Sequence, residues 1–429
     1  MSRNVRIAAL QLRAHDRAGF ERVLPVMLEE VRRAAQGCDL LVLAEGTIPA
    51  YVLGNAPVDE STLARSQKAL SAIARELRCV IVAGTALRRD DALYNSALVF
   101  DADGRIAGSA EKIFLWHFDR RWFSAGSSIE PVDTAAGRLG VLICADGRMP
   151  AIARGLVDRG AELLVMPTAW VTSGRDPAAL ENIQADLLAR VRAFENGVPF
   201  VAANKCGTEL GMVAYCGKSQ IVDAAGTVIA LASQTRQETI GANIALAPAR
   251  PNRADPPEPP RRAVNRRSLR IAFTCDALGA DLTDRLDVLE ADLALSALGN
   301  DHFDRFDDEA GAVRTRSVNA FDPGYLLAYR RAGYRAAVLD AAETHPWLER
   351  IARARAAELR MYVVVFDRAA DRAYAIDPDG AVVAGTFDDF RFACFAFDPA
   401  RAALTLVAPG TDVAEGIERV HALVHVPAR

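Results

Sequence analysis

The stretch RLGVLICADGRMP, residues 138–150, combines an apolar strand, a cysteine at its end and a helix start. The run from Leu139 to Cys144 is apolar enough to predict a buried strand, and Pro150 suits the first turn of a helix. A thiol at such a turn lies beside backbone N–H groups and the positive end of a helix dipole, which lower a cysteine pKa and can hold an oxyanion. Cys144 is therefore a candidate nucleophile, although a lone cysteine at a strand end is more often inert.

Extended apolar segments alternate with amphipathic ones on both sides of this stretch. Residues 5–12 (VRIAALQL), 39–45 (DLLVLAE) and 162–167 (ELLVMP) are predicted strands, and apolar residues from Phe20 to Val31 recur at helical spacing. This alternation predicts an α/β layered domain whose strands are buried on both faces. The further predicted elements are helices over 61–78, 150–159 and 176–195 and strands over 79–87, 94–101, 198–204 and 219–230.

The composition indicates a globular protein. The chain has 429 residues, 51% of them hydrophobic and 25% charged, which excludes wholesale disorder and predicts about two or three domains. The 51 Lys and Arg residues against 55 Asp and Glu residues leave a net charge of −4, so we expect neither a nucleic acid nor an anionic membrane as partner. No run approaches about eighteen apolar residues, so no membrane span is expected. Because the opening MSRNVRIAALQL lacks the apolar run of a secretory signal, we expect a cytoplasmic protein.

The cysteines, histidines and lysines narrow the chemistry. The seven cysteines are scattered without a Cys-X-X-Cys pair, which is typical of a reducing compartment and not of a disulfide framework. His421 and His425 have a helical spacing, but the surrounding VHALVHVP is predicted as a terminal strand, and we expect no metal site. Because the planar group of arginine cannot mimic a compact ammonium, a lysine within a motif is a candidate for chemistry. Lysine is rare, and the chain carries it only at Lys68, Lys112, Lys205 and Lys218.

Three charged residues lie in segments that the fold can bring to Cys144. Glu45 stands in LVLAEGTIPAY, Lys112 in SAEKIFLWHF and Asp119 in HFDRRWFSAG. Glu45 and Lys112 lie at or just past the end of a predicted strand, the edge where α/β proteins place reactive groups. Each of these two, taken singly, is more often half of a surface ion pair.

Together these segments resemble the nitrilase superfamily of carbon–nitrogen hydrolases. The shared pattern is a Glu ending the second strand, a Lys after an ADGR-type turn, and a strand-terminal Cys in ICADGRMP with GAELLVMPTAW downstream. RAFEN (192–196), Asn204 in VAANKCG and GKSQIVDAAG (217–226) extend the resemblance, which covers about residues 5–246 in the order of the family. The resemblance implies a catalytic domain over 1–246 with a four-layer αββα sandwich fold.

The resemblance also implies a catalytic triad of Cys144, Glu45 and Lys112, with no cofactor. A thiol must lose its proton to attack a carbonyl or nitrile carbon, and a carboxylate such as Glu45 within hydrogen-bond reach serves as the base. The Lys112 ammonium and the backbone N–H of Ala145 would face the oxyanion of the tetrahedral intermediate. Asp119 takes the place where many family members carry a second Glu, and we expect it to hold Lys112 charged and positioned.

The residues after the cysteine favour the amidase and carbamoylase branch over true nitrilases. Nitrilases usually follow the cysteine with Trp-Glu, whereas Ala145 and Asp146 follow here, and Arg148 matches one of two arginines that clamp a substrate carboxylate in carbamoylases. The predicted substrate is a small linear amide or carbamoyl compound, converted to an acid and ammonia or an amine through a Cys thioester. Gly147 replaces the second of these arginines, so an Arg148 that is salt-bridged within the protein is the favoured interpretation. The resemblance also implies that several residues lie in or near the pocket loops, although most of them could equally be core or interface: Trp116, His117, Phe118, Trp122, Trp170 and Tyr215.

Two alternative functions stay open at this point. Nitrile hydrolysis or acyl transfer would use the same thiol, and a non-catalytic binding protein would keep the fold without turnover. All three triad positions are intact, which speaks against the binding protein. A glutamine-fed synthetase would need a nucleotide-binding loop after residue 268, and no SGG or GxxxxGK motif occurs there.

The chain beyond the resemblance divides into two parts. Residues 247–267 carry six prolines among charges and predict a linker or a wrapping tail, and residues 268–429 are predicted as a smaller, non-catalytic α/β domain without lysine. Three echoes in the same order predict that this domain is a truncated, degenerate second copy, which would pack in cis as a pseudo-dimer. A homo-oligomer and an unrelated small α/β domain are the alternatives. The echoes are 375–384 with 221–230, 353–358 with 190–195, and 331–340 with 158–167.

Overall fold

The computed structural model describes residues 3–55, 58–172, 180–248, 256–263, 267–279, 282–298 and 301–424. Within these residues the chain forms two units, the first up to residue 248 and the second from residue 256 to Val407. The chain then returns to the first unit with Ala408–Thr411 and again with residues 416–424. We call these two stretches together the returning segment. The sequence-based domain over 268–429 included these residues, so the observed division departs from it at this point.

Residues 3–248 of the first unit form fourteen strands and four α-helices where the structure describes them. They are β1 (Arg3–Arg13), α1 (Phe20–Ala35), β2 (Leu40–Val42), α2 (Glu60–Leu77), β3 (Val80–Arg89), β4 (Ala92–Phe100), β5 (Ile106–Glu111), β6 (Val132–Thr134), β7 (Gly137–Val141), α3 (Pro150–Asp158), β8 (Leu163–Pro167), α4 (Ala189–Asn196), β9 (Phe200–Ala203), β10 (Lys205–Glu209), β11 (Val213–Cys216), β12 (Gln220–Val222), β13 (Val228–Leu231) and β14 (Glu238–Leu246).

Two sheets in contact form the centre of this unit. One has the strand order β11–β10–β1–β2–β3–β4–β5, with β14 also paired to β1, and the other has the order β13–β12–β9–β8–β7–β6. Helices α1 and α2 cover the outer face of the first sheet, and α3 and α4 cover that of the second. The layers therefore run helix, sheet, sheet, helix, and the fold is mixed α/β. Strands β2 and β8 are buried along their whole length because both of their faces are covered.

The helices pack where their apolar faces direct them. In α1 the buried residues Phe20, Leu24 and Val31 recur at helical spacing and lie on the face turned to the sheet. Helix α2 begins after Asp59, whose side chain accepts a hydrogen bond of 3.0 Å from the Ser61 N–H. The amphipathic spacing thus predicts both the existence and the orientation of these helices.

Three predictions for local structure need correction or extension. The strand predicted to end at Cys144 stops at Val141, and Cys144 begins a short 3₁₀ turn, Cys144–Arg148. The helix predicted over 176–195 is described as a π-helical turn, Gln184–Leu188, followed by α4, and residues 173–179 lie outside the described part of the chain. Strands β5, β6, β10, β11 and β14 go beyond the predicted set because short or half-exposed strands carry weak apolar patterns.

The second unit holds a three-stranded sheet, β16–β15–β22, and a five-stranded sheet, β17–β18–β19–β20–β21, in its described residues. The elements from residue 269 onward are β15 (Leu269–Ala277), α5 (Leu282–Leu289), β16 (Leu293–Leu298), α6 (Phe303–Ala310), β17 (Ala312–Arg316), α7 (Pro323–Arg331), β18 (Ala336–Ala341), α8 (Leu348–Leu359), β19 (Tyr362–Asp367), β20 (Arg372–Ile376), β21 (Val382–Gly385), β22 (Ala393–Phe397), α9 (Pro399–Ala403), β23 (Leu406–Ala408), β24 (Thr411–Asp412) and α10 (Val413–Val424).

The end of the described chain corrects one further prediction. The segment VHALVHVP was predicted as a terminal strand, but His421 lies in α10, and His425 lies outside the described residues. Its apolar residues fit a helical face as well as a strand, and packing selects the helix. Of the predicted linker 247–267, the stretches 249–255 and 264–266 also lie outside the described residues. No helix in the described ranges is long and apolar enough to cross a membrane.

Gly84 in β3 lies against the backbone that carries Glu45, and this contact generates a prediction. A Cβ atom added at Gly84 would lie 2.6 Å from the Glu45 Cα atom, and backbone atoms cannot turn aside. We expect Gly84→Ala to lower the free energy of unfolding by about 2 kcal/mol, since overpacking costs ~1–3 kcal/mol. Gly241→Ala is the matched control, because its added Cβ would lie 3.4 Å from the Ile7 carbonyl oxygen, an ordinary contact. Thermal unfolding measures both variants, and equal melting temperatures would contradict the packing argument.

Candidate active site

The ammonium of Lys112 is the centre of a buried charge cluster. Lys112 directly follows β5 and is fully buried. Its Nζ atom donates to Glu45 Oε1 at 2.7 Å and lies 2.7 Å from Asp119 Oδ2. Burial lowers the pKa of Lys112, but the charges of Asp119 and Glu45 outweigh burial and hold that pKa well above its ordinary value. Lys112 is therefore charged in the folded protein.

Glu45 presents one bound and one unbound carboxylate oxygen. It lies just beyond β2, where its Oε1 atom also accepts a hydrogen bond of 2.7 Å from Asn95 Nδ2. Its Oε2 atom is buried and has no hydrogen-bond partner among the described residues. Two donors thus fix the carboxylate while the second oxygen is available to take a proton. Asn95 was missed by the sequence analysis, although a polar residue within the apolar strand YNSALVFD is a signal.

Cys144 lies at the turn between β7 and α3, in the same electrostatic environment. Its φ of +46° is in the left-handed region, a conformation that costs ~1–3 kcal/mol for a non-glycine residue. Burial raises the pKa of the Cys144 thiol to about 12, the Glu45 carboxylate adds to the rise, and the Lys112 ammonium opposes it. The three predicted triad side chains thus share one buried environment. Because the resting thiol is neutral, its proton must pass to a base when the sulfur attacks.

Asp119 reaches Lys112 directly despite being one methylene shorter than Glu. It lies in the 3₁₀ turn His117–Arg121, and its Oδ2 atom also accepts a hydrogen bond of 2.9 Å from the Trp116 N–H. The local turn therefore brings the shorter carboxylate to the ammonium. This contact agrees with the expected supporting role toward Lys112.

Asp146 ties the lysine loop to the cysteine loop and was missed as a site residue by the sequence analysis. Its Oδ1 atom accepts from the N–H groups of Ile113, at 3.1 Å, and Phe114, at 2.8 Å. Its Oδ2 atom accepts from the Ile143 N–H at 3.0 Å. Burial raises the pKa of Asp146 to about 7, against the hydrogen bonds that lower it. One carboxylate thus fixes the loops of Lys112 and Cys144 relative to each other. In the sequence, the Asp146-Gly147 pair shortly after the cysteine is the signal that points to this residue.

Aromatic rings line the buried space beside the ammonium. The Tyr51 ring centroid lies 5.7 Å from Lys112 Nζ, 5.3 Å from the Phe118 centroid and 6.4 Å from the Tyr215 centroid. Burial raises the pKa of both tyrosines well above the ordinary value, so the phenols stay neutral. The Tyr215 hydroxyl donates to Glu209 Oε2 at 2.7 Å. The expected pocket residues Tyr215 and Phe118 therefore lie in one apolar cluster, to which Tyr51 is an addition.

The other predicted pocket residues have different surroundings. Trp170 is buried, its backbone N–H donates to Asn204 Oδ1 at 2.8 Å, and its indole Nε1 has no hydrogen-bond partner in the described part of the chain. The Arg148 guanidinium lies 4.7 Å from the centroid of the Trp116 ring, so both residues are engaged with each other. Ala145 is buried within the turn after Cys144. Among the described residues, no group of three or more His, Cys, Asp or Glu side chains could hold a metal ion.

The part of the chain that holds these residues is similar to known proteins. The carbon–nitrogen hydrolase family profile matches residues 6–254. A probable nitrilase of Schizosaccharomyces pombe is 30% identical over 232 residues, covering 53% of this chain and 82% of the relative. A citrullinase of Francisella tularensis is 29% identical over 266 residues, covering 57% of this chain and 90% of the relative. The solved structure of an amidase from Nesterenkonia sp. has a TM-score of 0.51 and 26% identity, covering 56% of this chain and 90% of that chain; an alanine mutant of the amidase was solved in complex with butyramide.

The position of Asp146 generates a stability prediction. Asp146→Ala would leave three buried N–H groups without their acceptor, and each costs ~1–3 kcal/mol, so we expect a loss of about 3 kcal/mol or more. Asp133→Ala is the matched control, because the Asp133 side chain is 77% exposed, and its effect should stay within about 0.5 kcal/mol. Thermal unfolding of the full chain measures the difference. Identical melting temperatures would mean that Asp146 does not hold the loops.

Proposed function

We propose that this chain, which belongs to the carbon–nitrogen hydrolase family of the nitrilase superfamily, hydrolyses a small linear amide or carbamoyl compound. The products are an acid and ammonia or an amine, and the intermediate is a thioester on Cys144. One observation carries the proposal: a buried lysine is shared by two carboxylates, and one of these, Glu45, keeps its second oxygen without a partner among the described residues.

The first half of the reaction forms the thioester. The Cys144 sulfur attacks the carbonyl carbon while its proton passes to Glu45 Oε2. The carbonyl oxygen becomes negative and faces the Lys112 ammonium and the Ala145 N–H, an arrangement of donors that stabilises the tetrahedral intermediate. The protonated Glu45 then gives its proton to the nitrogen, the carbon–nitrogen bond breaks, and ammonia or an amine leaves. The acyl group stays on the sulfur.

The second half returns the enzyme to its starting state. A water molecule gives a proton to Glu45 and attacks the thioester carbon, which forms a second oxyanion beside Lys112. The carbon–sulfur bond breaks, the acid is released, and the proton on Glu45 returns to the Cys144 sulfur. Glu45 therefore serves twice as base and twice as acid, and no external proton carrier is needed.

Asp119 has a separate task in this cycle. When Glu45 is protonated it no longer compensates the buried ammonium, and Asp119, which contacts Lys112 at 2.7 Å, remains as its counter-charge. Asp119 is then the carboxylate that opposes the effect of burial, which lowers the pKa of Lys112. We propose that Asp119 keeps Lys112 a donor throughout and prevents it from becoming a competing base.

The proposed substrate class rests on the surroundings of the sulfur. Neutral aromatic rings at Tyr51, Phe118 and Tyr215 favour a small, partly apolar acyl group. The names of the relatives agree with this, because an amide and the ureido group of citrulline both present a carbonyl carbon that bears nitrogen. Nitrile hydrolysis by the same thiol is the second candidate, favoured by the similarity to a probable nitrilase.

The second unit repeats the strand order of the first in shortened form. Its sheet β16–β15–β22 corresponds to β2–β1–β14, and β17–β18–β19–β20–β21 corresponds to β7–β8–β9–β12–β13. The pairing directions also agree, since β15 is parallel to β16 and antiparallel to β22, as β1 is to β2 and β14. We propose that this unit is a truncated copy of the first, without counterparts of β3, β4, β5, β6, β10 and β11 among its described residues.

The β12–β13 turn of the first unit and the β20–β21 turn of the second unit support the proposal that the second unit is a copy. In the β12–β13 turn, Asp223 Oδ1 accepts from the N–H groups two and four residues later, at 2.9 and 2.8 Å. In the β20–β21 turn, Asp377 Oδ1 accepts from the same two positions, at 2.9 and 3.0 Å. The two segments therefore share a hydrogen-bond pattern as well as a sequence pattern.

A buried arginine supports the copy independently. Arg192 Nε donates to the Gly147 carbonyl oxygen at 2.9 Å, in the turn that opens with the nucleophile, and Arg355 Nε donates to the Ala320 carbonyl oxygen at 2.9 Å. The second of these turns is Ser317–Phe321, and the helix after each turn begins with proline. Ser317 thus takes the place of the nucleophile. Residues 268–429 contain no lysine, so we propose that the copy is non-catalytic.

A substrate panel tests the proposed reaction. The purified full chain is incubated with small amides and carbamoyl compounds, including butyramide and citrulline, and with the matching nitriles. We expect ammonia release from at least one amide or carbamoyl compound, together with an acyl adduct on Cys144 by intact mass and peptide mapping, because the mechanism passes through a thioester. Release of ammonia from nitriles alone would contradict the amide proposal.

Two matched variants test the assignment of the nucleophile. Cys144→Ala should lower turnover at least about 10³-fold, because removing a catalytic nucleophile abolishes the covalent route. Ser317→Ala, at the equivalent place in the second unit, should keep turnover within about twofold. The measurement is steady-state ammonia release by each folded variant. Unchanged turnover in Cys144→Ala would overturn the mechanism, and a large loss in Ser317→Ala would overturn the non-catalytic second unit.

A further inference from the structure

The returning segment contacts two of the loops that carry proposed catalytic residues, the Lys112–Asp119 loop and the Cys144 loop. We infer that Thr411, in this segment, is a positioning residue for the turn that presents Asp119 to Lys112. The inference rests on the proposed function for the roles of those two side chains. It concerns a residue 294 positions away from its contact in the chain and far beyond the family match, which ends at residue 254.

The hydroxyl of Thr411 holds the first residue of the Asp119 turn. Thr411 is fully buried, and its Oγ1 atom accepts a hydrogen bond of 2.6 Å from the His117 N–H. His117 has a φ of +50°, a left-handed conformation that persists only where surrounding contacts determine it. The carbonyl oxygen of His117 would lie 3.6 Å from a Cβ atom added at Gly410. The backbone N–H and the carbonyl oxygen of this strained residue therefore both face the returning segment.

The turn His117–Arg121 links the position of His117 to that of the Lys112 ammonium. Trp116, the residue before His117, donates its N–H to Asp119 Oδ2 at 2.9 Å, and the same oxygen contacts Lys112 Nζ at 2.7 Å. A shift of the His117 peptide would therefore move the carboxylate that keeps Lys112 in place. Displacements of about 1 Å at such groups can cost up to about 100-fold in rate.

A second contact in α10 supports the same role. A Cβ atom added at Gly416 would lie 2.5 Å from Phe114 Cε2 and 3.1 Å from Met149 Cε. Phe114 lies two residues after Lys112, and Met149 lies in the loop that opens with Cys144. The helix therefore needs glycine here in order to pack on both loops at once. Thr411 and Gly416 of the returning segment thus each contact a loop of the proposed site.

Three full-length variants test the positioning role. Thr411→Val keeps the size but removes the acceptor, Thr411→Ser restores it, and Thr386→Val is the matched control, because the buried Thr386 hydroxyl accepts a 2.8 Å hydrogen bond from a backbone N–H within the second unit. We expect Thr411→Val to lower kcat about tenfold on an amide that the parent hydrolyses, with KM changed less than about twofold. Thr411→Ser and Thr386→Val should stay within about twofold of the parent.

A second readout needs no substrate and separates this inference from the proposed function. The rate at which iodoacetamide alkylates Cys144 at pH 8, followed by peptide mapping, depends on the Lys112 ammonium, which favours the thiolate. We expect this rate to fall at least about threefold in Thr411→Val and to stay unchanged in Thr386→Val. If the parent hydrolyses nothing in the panel, the proposed function fails, while the alkylation rate still decides the inference.

The result that overturns the inference is an unchanged alkylation rate and, where turnover exists, an unchanged kcat in Thr411→Val. If this variant does not fold, Gly416→Ala replaces it, with Gly241→Ala as its control. The added methyl group at Gly416 should displace the Phe114 ring and slow alkylation, whereas that at Gly241 meets only an ordinary contact. Equal alkylation rates in these two glycine variants would likewise overturn the positioning role.

Discussion

A buried ammonium held by two carboxylates is the interaction on which the site depends. Removing Lys112 from water is costly unless opposite charges and hydrogen bonds surround it, and Glu45 and Asp119 supply them. In the proposed reaction a proton leaves the sulfur for Glu45 while negative charge appears on the substrate oxygen. The net charge of the buried cluster is therefore the same before and after attack. In this buried site the proposed attack therefore moves charge from one group to another and adds no net charge.

The two-sheet fold is what allows these groups to meet. Glu45 follows β2 and Lys112 follows β5, both in the first sheet, whereas Cys144 follows β7 in the second. Because the two sheets pack against each other, the loops after their strands converge on one buried point. The Asp146 carboxylate then links the loops, so their relative position does not rely on side-chain packing alone.

The sequence predicted the mixed α/β fold of the first unit and the three side chains, Cys144, Glu45 and Lys112, that share one buried environment, but not the residues that hold them in place. The apolar runs at 5–12 and 162–167 are visible because their strands are covered on both faces. Asn95, Asp146 and Thr411 act through contacts with residues distant in the chain. The local sequence gives a weak signal for Asn95 and Asp146, but it does not indicate which distant groups they contact. The segment around His421 satisfied both a strand and a helix pattern, so only tertiary packing distinguishes them.

The hydrogen bond between Thr411 and His117 also imposes an order in time. A growing polypeptide exposes residues up to 248 well before Thr411 has been made, and at ~5–20 residues per second the delay is roughly 10 to 30 s. During that interval the His117 N–H lacks the Thr411 hydroxyl as its hydrogen-bond acceptor. A nascent chain whose first unit folds during that interval would therefore hold the proposed site without this hydrogen bond, which can form only after the second unit has been synthesised.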